Sequence, residues 1–282
     1  MVAIRQVPVR DGDVLLLVGT AKGLFLLRSA GSQRTAWEVG GPHFPGCDVH
    51  AAAFDARSGR RRLWAGSRSS REGAVLRFSD DFGRNWTPPG VSPVKFPAGA
   101  GASLKQIWQI RPGRSDEPDV LYCGVAPAAL FESRDGGAIW SLVQGLHDHP
   151  HRPRWEPGGG LCLHTILPDP SDRRRLYVGI SRGGVYRTDD GAVWNQISAP
   201  TTSDIMDIHA FGVDDYFVVD WSGKIWRYVN TAPTNTPSAT ATQTATATHT
   251  PTNTPTSTET PTPTTTPTLV PGSGMIAGAV FV

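Results

Sequence analysis

The side chains best suited to chemistry lie in one polar segment, residues 147–157, which three consecutive glycines follow. Imidazole and carboxylate groups are ligands that transition metals accept, and alternate histidines share one side of the chain if it is extended. The metal candidates are His147, His149 and His151, with Asp148 beside them. Pro150 and the lack of a known ligand signature weigh against a metal site, so we expect neither a metal nor a cofactor.

Three other hypotheses apply to the same segment. Arg152, Arg154 and Trp155 are suited to ligand binding, since guanidinium groups pair with carboxylates and an indole stacks on a sugar ring. Asp148 and Glu156 are weak candidates for a catalytic pair, because glycoside hydrolysis uses two carboxyl groups about 5–9 Å apart. Alternatively, the segment is a polar surface loop with Trp155 folded onto the scaffold, which requires no function.

A recurring turn marks the elements that would position this segment. Each copy combines a hydroxyl and a carboxylate that can accept backbone N–H bonds, and a glycine that can adopt positive φ. The motif residues are Ser79, Asp81, Gly83 and Trp86 in the first copy, Ser133, Asp135, Gly137 and Trp140 in the second, and Thr188, Asp190 and Trp194 in the third. The third copy is one residue short between aspartate and tryptophan, so we interpret it as defective. The aspartates are 54 and 55 residues apart, close to the period of a four-stranded propeller blade.

These turns resemble Asp-boxes, also called BNR repeats, which occur in sialidases, sortilin-type receptors and bacterial propellers without assigned activity. The resemblance implies an all-β fold, a β-propeller over residues 1–230, in which the boxes are structural hairpins remote from any active site. Residues 1–230 hold about four to five blades, whereas six or seven are typical of these families. We therefore expect an incomplete propeller that is truncated, forms an open arc or is completed by a partner.

The apolar pattern predicts strands at the same period. Residues 14–20 and 23–29 form a first hairpin, and four further hairpins follow it along the chain. Each of these four has another strand upstream, at residues 49–54, 104–111, 161–167 and 205–211. A blade is therefore expected to contain three strands, the turn and a fourth strand.

The upstream strands should line the central channel of a propeller. Alignment on Asp55, Arg111 and Asp169 predicts that polar side chains share one position at the start of these strands. The aligned residues are His50, Gln106 and His164, with Asp207 as the fourth member. They are candidates for a ring that binds a glycan or protein ligand at the propeller mouth, or they cap strand ends by local hydrogen bonds.

Composition narrows the partners and leaves the location open. A net charge of +2 argues against a dedicated nucleic-acid binder, and no run is long enough for a membrane span. Residues 231–273 are rich in Thr and Pro and predict a disordered linker that resembles the stalks of secreted surface proteins. Residues 274–282 resemble the first strand of an immunoglobulin-like wall repeat, which suggests attachment to a cell surface through the C-terminal region. These features favour an extracellular or cell-surface location, whereas residues 1–10 show no secretory signal and favour the cytoplasm.

The function hypothesis favoured by these patterns is a non-catalytic module that recognises glycans or proteins at the propeller mouth. It rests on repeated scaffold turns combined with the lack of a complete catalytic set. The alternative is a sialidase-like, exo-acting glycoside hydrolase on extracellular glycans. The Arg-Ile-Pro signature of sialidases is absent near the start of the chain, and Tyr122, Tyr177 and Tyr186 occupy repeat positions typical of packing residues.

Overall fold

The computed structural model describes residues 4–31, 34–155, 161–197, 205–212, 215–220 and 222–229. The predicted linker at 231–273 and the predicted strand at 274–282 lie outside these described residues. Within them, the chain forms five sheets whose strands pair antiparallel in sequence order. The first sheet contains β1 (Val14–Thr20), β2 (Gly23–Ser29) and β3 (Glu38–His43), and the second contains β4 (Asp48–Asp55), β5 (Arg62–Ser69) and β6 (Gly73–Ser79). The third contains β7 (Gln106–Pro112), β8 (Leu121–Ala126), β9 (Ala129–Ser133) and β10 (Ser141–Leu142), and the fourth contains β11 (Leu163–Pro168), β12 (Leu176–Ile180), β13 (Gly184–Thr188) and β14 (Asn195–Ile197). The fifth contains β15 (Ile205–Gly212), β16 (Asp215–Asp220) and β17 (Ile225–Val229).

Helical structure in the described residues is confined to single turns. One α-helical turn, α1, spans Gln144–His147, and 3-10 turns span Arg57–Gly59, Pro89–Val91 and Arg152–Arg154. None of these described helices approaches the length and apolar character that a membrane crossing requires.

The first strand of each sheet contacts the first strand of the next. The contacts run from β1 to β4, from β4 to β7, from β7 to β11 and from β11 to β15. Sheets that meet through their first strands follow one another around an axis, as blades do in a propeller. The prediction of an all-β β-propeller is confirmed.

Glycines in one sheet allow the first strand of the following sheet to approach closely. A Cβ atom at Gly19 of β1 would lie 2.3 Å from the Val49 carbonyl oxygen, and one at Gly124 of β8 would lie 2.4 Å from the Leu163 carbonyl oxygen. A Cβ at Gly66 of β5 would lie 2.7 Å from the Ile107 side chain. A larger residue at these positions would therefore push the following sheet away.

The core lies between adjacent sheets. Between the second and third sheets, Trp64 and Ala51 pack with Ile107, Phe131 and Trp140. A separate cluster joins the third and fourth sheets through residues such as Leu130, Leu163 and Tyr186. Complete burial of a large apolar side chain contributes about 1.5–3 kcal/mol, so each interface holds its two sheets together.

The second sheet departs from the predicted blade. A fourth strand was expected after its turn, but the described chain places only Thr87 there, whose N–H bonds the Phe78 carbonyl at 3.0 Å. Pro88 and Pro89 follow and have no N–H to continue a ladder. The third and fourth sheets do have the fourth strand, in β10 and β14.

The second recurring turn closes entirely on local hydrogen bonds. The Ser133 hydroxyl donates to Asp135 Oδ1 at 2.8 Å and accepts from the Gly137 N–H at 2.9 Å. The N–H groups of Ala138 and Ile139 both donate to the Asp135 carboxylate at 3.0 Å. Chiefly the Ile139 N–H, with the Ser133 hydroxyl, holds the pKa of Asp135 below its ordinary value. The carboxylate is thus fully occupied within the turn.

The third turn makes the same bonds although it is one residue shorter. Thr188 Oγ1 donates to Asp190 Oδ1 at 3.0 Å and accepts from the Gly191 N–H at 2.8 Å. The Trp194 indole N–H reaches the Gly191 carbonyl at 3.3 Å, as the Trp140 indole reaches Gly137 at 3.0 Å. The missing residue shortens only the spacing between the hydroxyl and the glycine. The turn is therefore shorter and is not broken.

The two ends of the sheets have different contents. The box end carries the three turns at Ser79, Ser133 and Thr188 together with the ends of the first strands at Asp55 and Asp169. The opposite end, here the loop end, carries the starts of the first strands and residues 143–162, because the fourth strand returns the chain there.

Candidate functional site

Bulges at the loop end mark one equivalent position on four first strands. The pairing of each first strand with the second strand skips one residue. The skipped residues are His50 in β4, Trp108 in β7, His164 in β11 and Met206 in β15. A bulge re-aims the side chain that it carries, and bulges are frequent beside functional sites.

This register corrects the alignment made from the sequence. His50 and His164 do share a position, but Trp108 and not Gln106 is their counterpart on β7. Gln106 is buried, and its amide donates to the Ile107 carbonyl at 3.4 Å. Asp207 follows the bulge and pairs with Val219, so it is one position further along than His50.

The His50 and Trp108 side chains meet across the gap between the second and third sheets. Their ring centroids are 5.0 Å apart with an interplanar angle of 40°. Burial lowers the pKa of His50, and Arg68 adds to this effect while Asp48 opposes it. The imidazole is therefore neutral near pH 7 and can both donate and accept a hydrogen bond.

Two buried polar atoms beside this ring pair have no partner among the residues that the structure describes. They are the indole Nε1 of Trp108 and Oε1 of Gln109. A buried donor or acceptor without a partner costs about 1–3 kcal/mol, so such groups are usually satisfied. β7 therefore carries one N–H donor and one carbonyl acceptor that are unsatisfied within the described structure.

A short hydrogen-bond chain links the fourth and fifth sheets. The Thr165 hydroxyl donates to Asp207 Oδ1 at 3.4 Å, and the N–H of Ile208 donates to the same oxygen at 2.9 Å. His164 Nδ1 lies 2.9 Å from the Thr165 hydroxyl oxygen. Which of the two groups donates in the His164–Thr165 bond depends on the imidazole tautomer.

Arg111 of β7 is exposed and interacts electrostatically with Asp207. The surrounding protein partly desolvates its guanidinium and lowers its pKa, whereas the Asp207 carboxylate opposes that shift. Arg111 and Asp207 thus form opposite charges at the same surface. Together they complete a set that we call the first-strand cluster: His50, Trp108, Arg111, His164 and Asp207.

The three histidines of the polar loop have separate protein partners, although the ring centroids of His149 and His151 lie 4.7 Å apart. His147 is buried, and its Nε2 lies 3.4 Å from the Ala100 carbonyl oxygen. His149 Nε2 lies 3.1 Å from the Trp194 carbonyl oxygen, and His151 Nδ1 lies 3.1 Å from the Tyr186 hydroxyl. Within the described ranges, no group of three or more His, Cys, Asp or Glu side chains is placed to hold a metal ion.

The predicted ligand-binding residues of this loop are mostly used to fix it. The Trp155 side chain is buried, and its indole N–H donates to the Tyr186 hydroxyl at 2.9 Å. Arg152 donates to the Ala128 carbonyl at 2.6 Å and lies over the Trp155 ring. Arg154 is exposed. This geometry favours the hypothesis in which Trp155 folds onto the scaffold.

The two weak catalytic candidates of the loop are not brought together as a described pair. Asp148 is exposed, and it accepts a hydrogen bond from the Gln144 amide at 2.8 Å. Glu156 lies outside the described residues.

Trp108 and Arg111 are the site residues that the sequence analysis missed. The alignment used Arg111 as the counterpart of Asp55 and Asp169, whereas the pairing places Gly113 at that position, so the alignment was shifted by two residues in β7. The tryptophan within the strand was the available signal, because a half-buried indole needs a partner for its N–H.

No family model matches the chain. A xyloglucanase from Paenibacillus sp is 28% identical over 243 residues, which cover 76% of this chain and 22% of that protein. The chain therefore spans about a fifth of the length of this curated relative.

Similar solved structures include enzymes of the GH74 type. A GH74 enzyme from Niastella koreensis is 16% identical, with a TM-score of 0.44, and the match covers 79% of this chain and 38% of that one. The GH74 xyloglucanase from Xanthomonas campestris is 18% identical, with a TM-score of 0.44 over 80% and 44% of the two chains. YCF48, solved bound to D1 peptide, is 14% identical, with a TM-score of 0.37 over 80% and 84%. TM-scores this low carry no argument about activity.

These comparisons correct the function predicted from the sequence. The curated relative is a glycoside hydrolase, which contradicts the hypothesis of a non-catalytic recognition module and supports the alternative of a glycoside hydrolase. The prediction rested on the absence of familiar catalytic signatures from the chain. That reasoning fails when the catalytic carboxylates lie in no fixed sequence motif.

Proposed function

We propose that this chain is part of a glycoside hydrolase that acts on a β-glucan substituted in the manner of xyloglucan. The observation that carries the proposal is the match of 243 residues to a xyloglucanase, which covers 76% of this chain. The chain corresponds to 22% of that relative, so its activity and substrate are inferred for this chain from a partial match.

The first-strand cluster is the proposed sugar-binding surface. Trp108 presents an aromatic face, which suits the apolar face of a pyranose ring, and an indole N–H that lacks a protein acceptor in the described structure. His50 packs against it and adds an imidazole that can donate a hydrogen bond. Convergent polar groups around an aromatic platform are what a polyhydroxylated ligand requires.

Asp207 is the proposed catalytic carboxylate of this cluster. It is exposed, and it accepts hydrogen bonds only on Oδ1 from Thr165 and Ile208, according to the bonds described. The turn aspartates are poor candidates, because backbone N–H groups occupy their oxygens. Hydrolysis needs a second carboxyl group, and Asp48, beside His50 on β4, is the proposed one.

We also infer that the recurring turns are Asp-boxes and that the protein acts outside the cell on a glycan partner. The hydroxyl–carboxylate–glycine bonding of all three turns supports the first inference. The Thr/Pro-rich composition of residues 231–273 supports the second.

The test is hydrolysis of tamarind-type xyloglucan by the 282-residue chain, measured by the release of reducing ends. Asp207→Asn should lower kcat at least 100-fold, since general acid or base catalysis contributes about 10²–10⁴-fold. Trp108→Ala should chiefly raise KM. Asp11→Asn, an exposed carboxylate paired with exposed Arg61, is the matched control and should retain activity. Absence of hydrolysis by the unaltered chain would refute the proposed function.

A further inference from the structure

The box end contains a pocket that results from a difference between two equivalent interfaces. The turn glycine Gly137 presses against the second sheet, where an added Cβ would lie 2.3 Å from the Trp64 ring. Gly191 is its counterpart in the next turn, yet a Cβ added there meets no atom within 4 Å. The space that Trp64 fills at the first interface is therefore open at the second.

The strand register shows which side chains differ. Trp64 pairs with Phe78 in the second sheet, and Tyr122 pairs with Glu132 at the same positions in the third. Trp64 is fully buried and packs against Phe78 and Trp140, with ring centroids 5.3 and 6.0 Å away. Tyr122 and Glu132 are smaller than Trp64 and Phe78, so the space that the two rings fill at the first interface stays unfilled at the second.

The charged position beside these pairs differs too. Arg62 lies over the Phe78 ring at 4.2 Å and closes the first interface. Its counterpart in the third sheet is Val120, which lies next to Leu121 as Arg62 lies next to Leu63. No long side chain from this position therefore covers the pocket.

The resulting pocket has a volume of about 350 Å³, in the lower part of the range of about 300–1,000 Å³ for small-molecule sites. Its apolar wall comes from Leu130, Leu176 and Trp194. Its charged groups balance, with three carboxylates and three guanidinium groups: Glu117, Glu132, Asp190, Arg134, Arg173 and Arg174. A balanced lining favours neither an anion nor a cation.

We propose that this pocket binds one neutral glycosyl unit, as a second sugar site at the opposite end of the sheets from the first-strand cluster. The choice of a sugar as ligand rests on the proposed function. The pocket itself rests on the open space beside Gly191 and on the pair Tyr122 and Glu132.

The lining has the groups that a sugar ring needs. Burial, with the neighbouring Glu132 and Glu117 carboxylates, raises the pKa of Tyr122, so its hydroxyl keeps its proton and shares it with Glu132 in a side-chain hydrogen bond. The Glu132 carboxylate is 21% exposed and is fixed by Arg134, at 2.8 and 3.0 Å from its two oxygens. A carboxylate held in this way accepts hydrogen bonds from adjacent sugar hydroxyls without loss of side-chain entropy.

The test compares the two interfaces directly. The double variant Tyr122→Trp/Glu132→Phe gives the third sheet the residues that fill the equivalent interface in the second. Titration calorimetry of the intact chain uses a xylose-substituted cello-oligosaccharide as the probe. The unaltered chain should show two binding events, and the double variant that fills the pocket, here the filled variant, should lose one of them.

A second variant, Glu132→Gln/Tyr122→Phe, keeps the side-chain shapes and should weaken the affinity of the same event at least tenfold. Arg61→Ala, an exposed arginine of the second sheet, is the control and should bind as the unaltered chain does.

Hydrolysis of polymeric xyloglucan, measured in parallel, separates this proposal from the proposed function. If the chain does not hydrolyse the polymer but the filled variant loses a binding event, the proposed function fails and the pocket is supported. If both pocket variants bind the probe with the unaltered number of events and affinities, the pocket proposal is wrong, whatever the chain hydrolyses.

Discussion

The box end and the loop end of the same sheets satisfy their polar groups in different ways. At the box end, the hydroxyl and carboxylate of each turn are used within eight residues of chain, as Ser133 and Asp135 show. At the loop end, the Trp108 indole N–H and the Gln109 amide oxygen are buried without a partner in the described structure. The turn hydroxyls and carboxylates therefore hold the fold through local bonds, whereas Trp108 and Gln109 keep polar atoms without a partner. The Trp64 indole N–H at the box end shares that condition in the described structure.

The largest effect should come from the box end, where an arginine joins two sheets. Arg57 pairs with buried Asp55 at 2.8 Å and donates to the Glu117 and Val120 carbonyls of the next sheet at 3.0 and 2.9 Å. Arg57→Ala leaves the Asp55 carboxylate without this partner, so the free energy of unfolding should fall by about 3 kcal/mol. Urea denaturation followed by tryptophan fluorescence measures this change. Arg61→Ala removes an exposed ion pair and should have almost no effect on the free energy of unfolding. Equal losses in both variants would show that the Arg57 contacts between the two sheets contribute no more than an exposed ion pair.

A smaller loss should follow removal of a turn hydroxyl. Ser133 is buried, and its oxygen accepts from the Gly137 N–H at 2.9 Å. Ser133→Ala leaves that N–H unsatisfied, which should cost about 2 kcal/mol in the free energy of unfolding. The measurement is the same urea titration, with Ser141→Ala on exposed β10 as the control. A loss no greater than in the control would mean that the turn does not stabilise its hairpin.

The same difference between the ends decides what the sequence could predict. The hydroxyl, carboxylate and glycine of each turn lie within five residues, so local chemistry sufficed to find the turns, and the apolar runs gave β1 and β2 with their observed bounds. The bulge at Trp108 depends on how β7 pairs with β8, which the pattern of one strand does not specify. The pocket beside Gly191 depends on which side chains the neighbouring sheet presents, and this becomes visible only after the sheets are assembled.

A pair of tryptophan substitutions tests the comparison at the loop end itself. The Trp155 indole donates to the Tyr186 hydroxyl at 2.9 Å, whereas the Trp108 indole N–H has no acceptor in the described residues. Trp155→Phe should therefore lower the free energy of unfolding by about 1 kcal/mol more than Trp108→Phe does. Trp108→Phe should instead weaken binding of a xylose-substituted oligosaccharide, because the proposed hydrogen bond to the sugar is lost. Similar stability losses in the two variants would show that Trp108 has a structural partner and would remove it from the candidate site.

The smallest effect should be a difference in the pH at which the two ends lose stability. Burial lowers the pKa of His50 and His149 from an ordinary value of 6.5, so the unfolded chain binds protons more readily than the folded chain. Their contribution to stability is therefore present above pH 6.5 and is lost as the pH falls through and below that value. The pKa of Asp135 is lowered from 3.8, so the contribution of this turn carboxylate is lost only at more acidic pH.

Urea denaturation at half-unit steps from pH 7 to pH 4.5 isolates the loop-end contribution. Because burial also lowers the pKa of His43, whose imidazole accepts from the Trp86 indole N–H at 3.3 Å, the unaltered chain will lose stability through this group in the same range. The double variant His50→Gln/His149→Gln lacks the loop-end part, so its free energy of unfolding should fall less steeply with decreasing pH. His43→Gln is the reciprocal control and should preserve the loop-end slope. If the free energy of unfolding of the double variant changes with pH as steeply as that of the unaltered chain, the pKa values of His50 and His149 are not lowered by folding. His50 beside Trp108 would then be solvated, as in an open site.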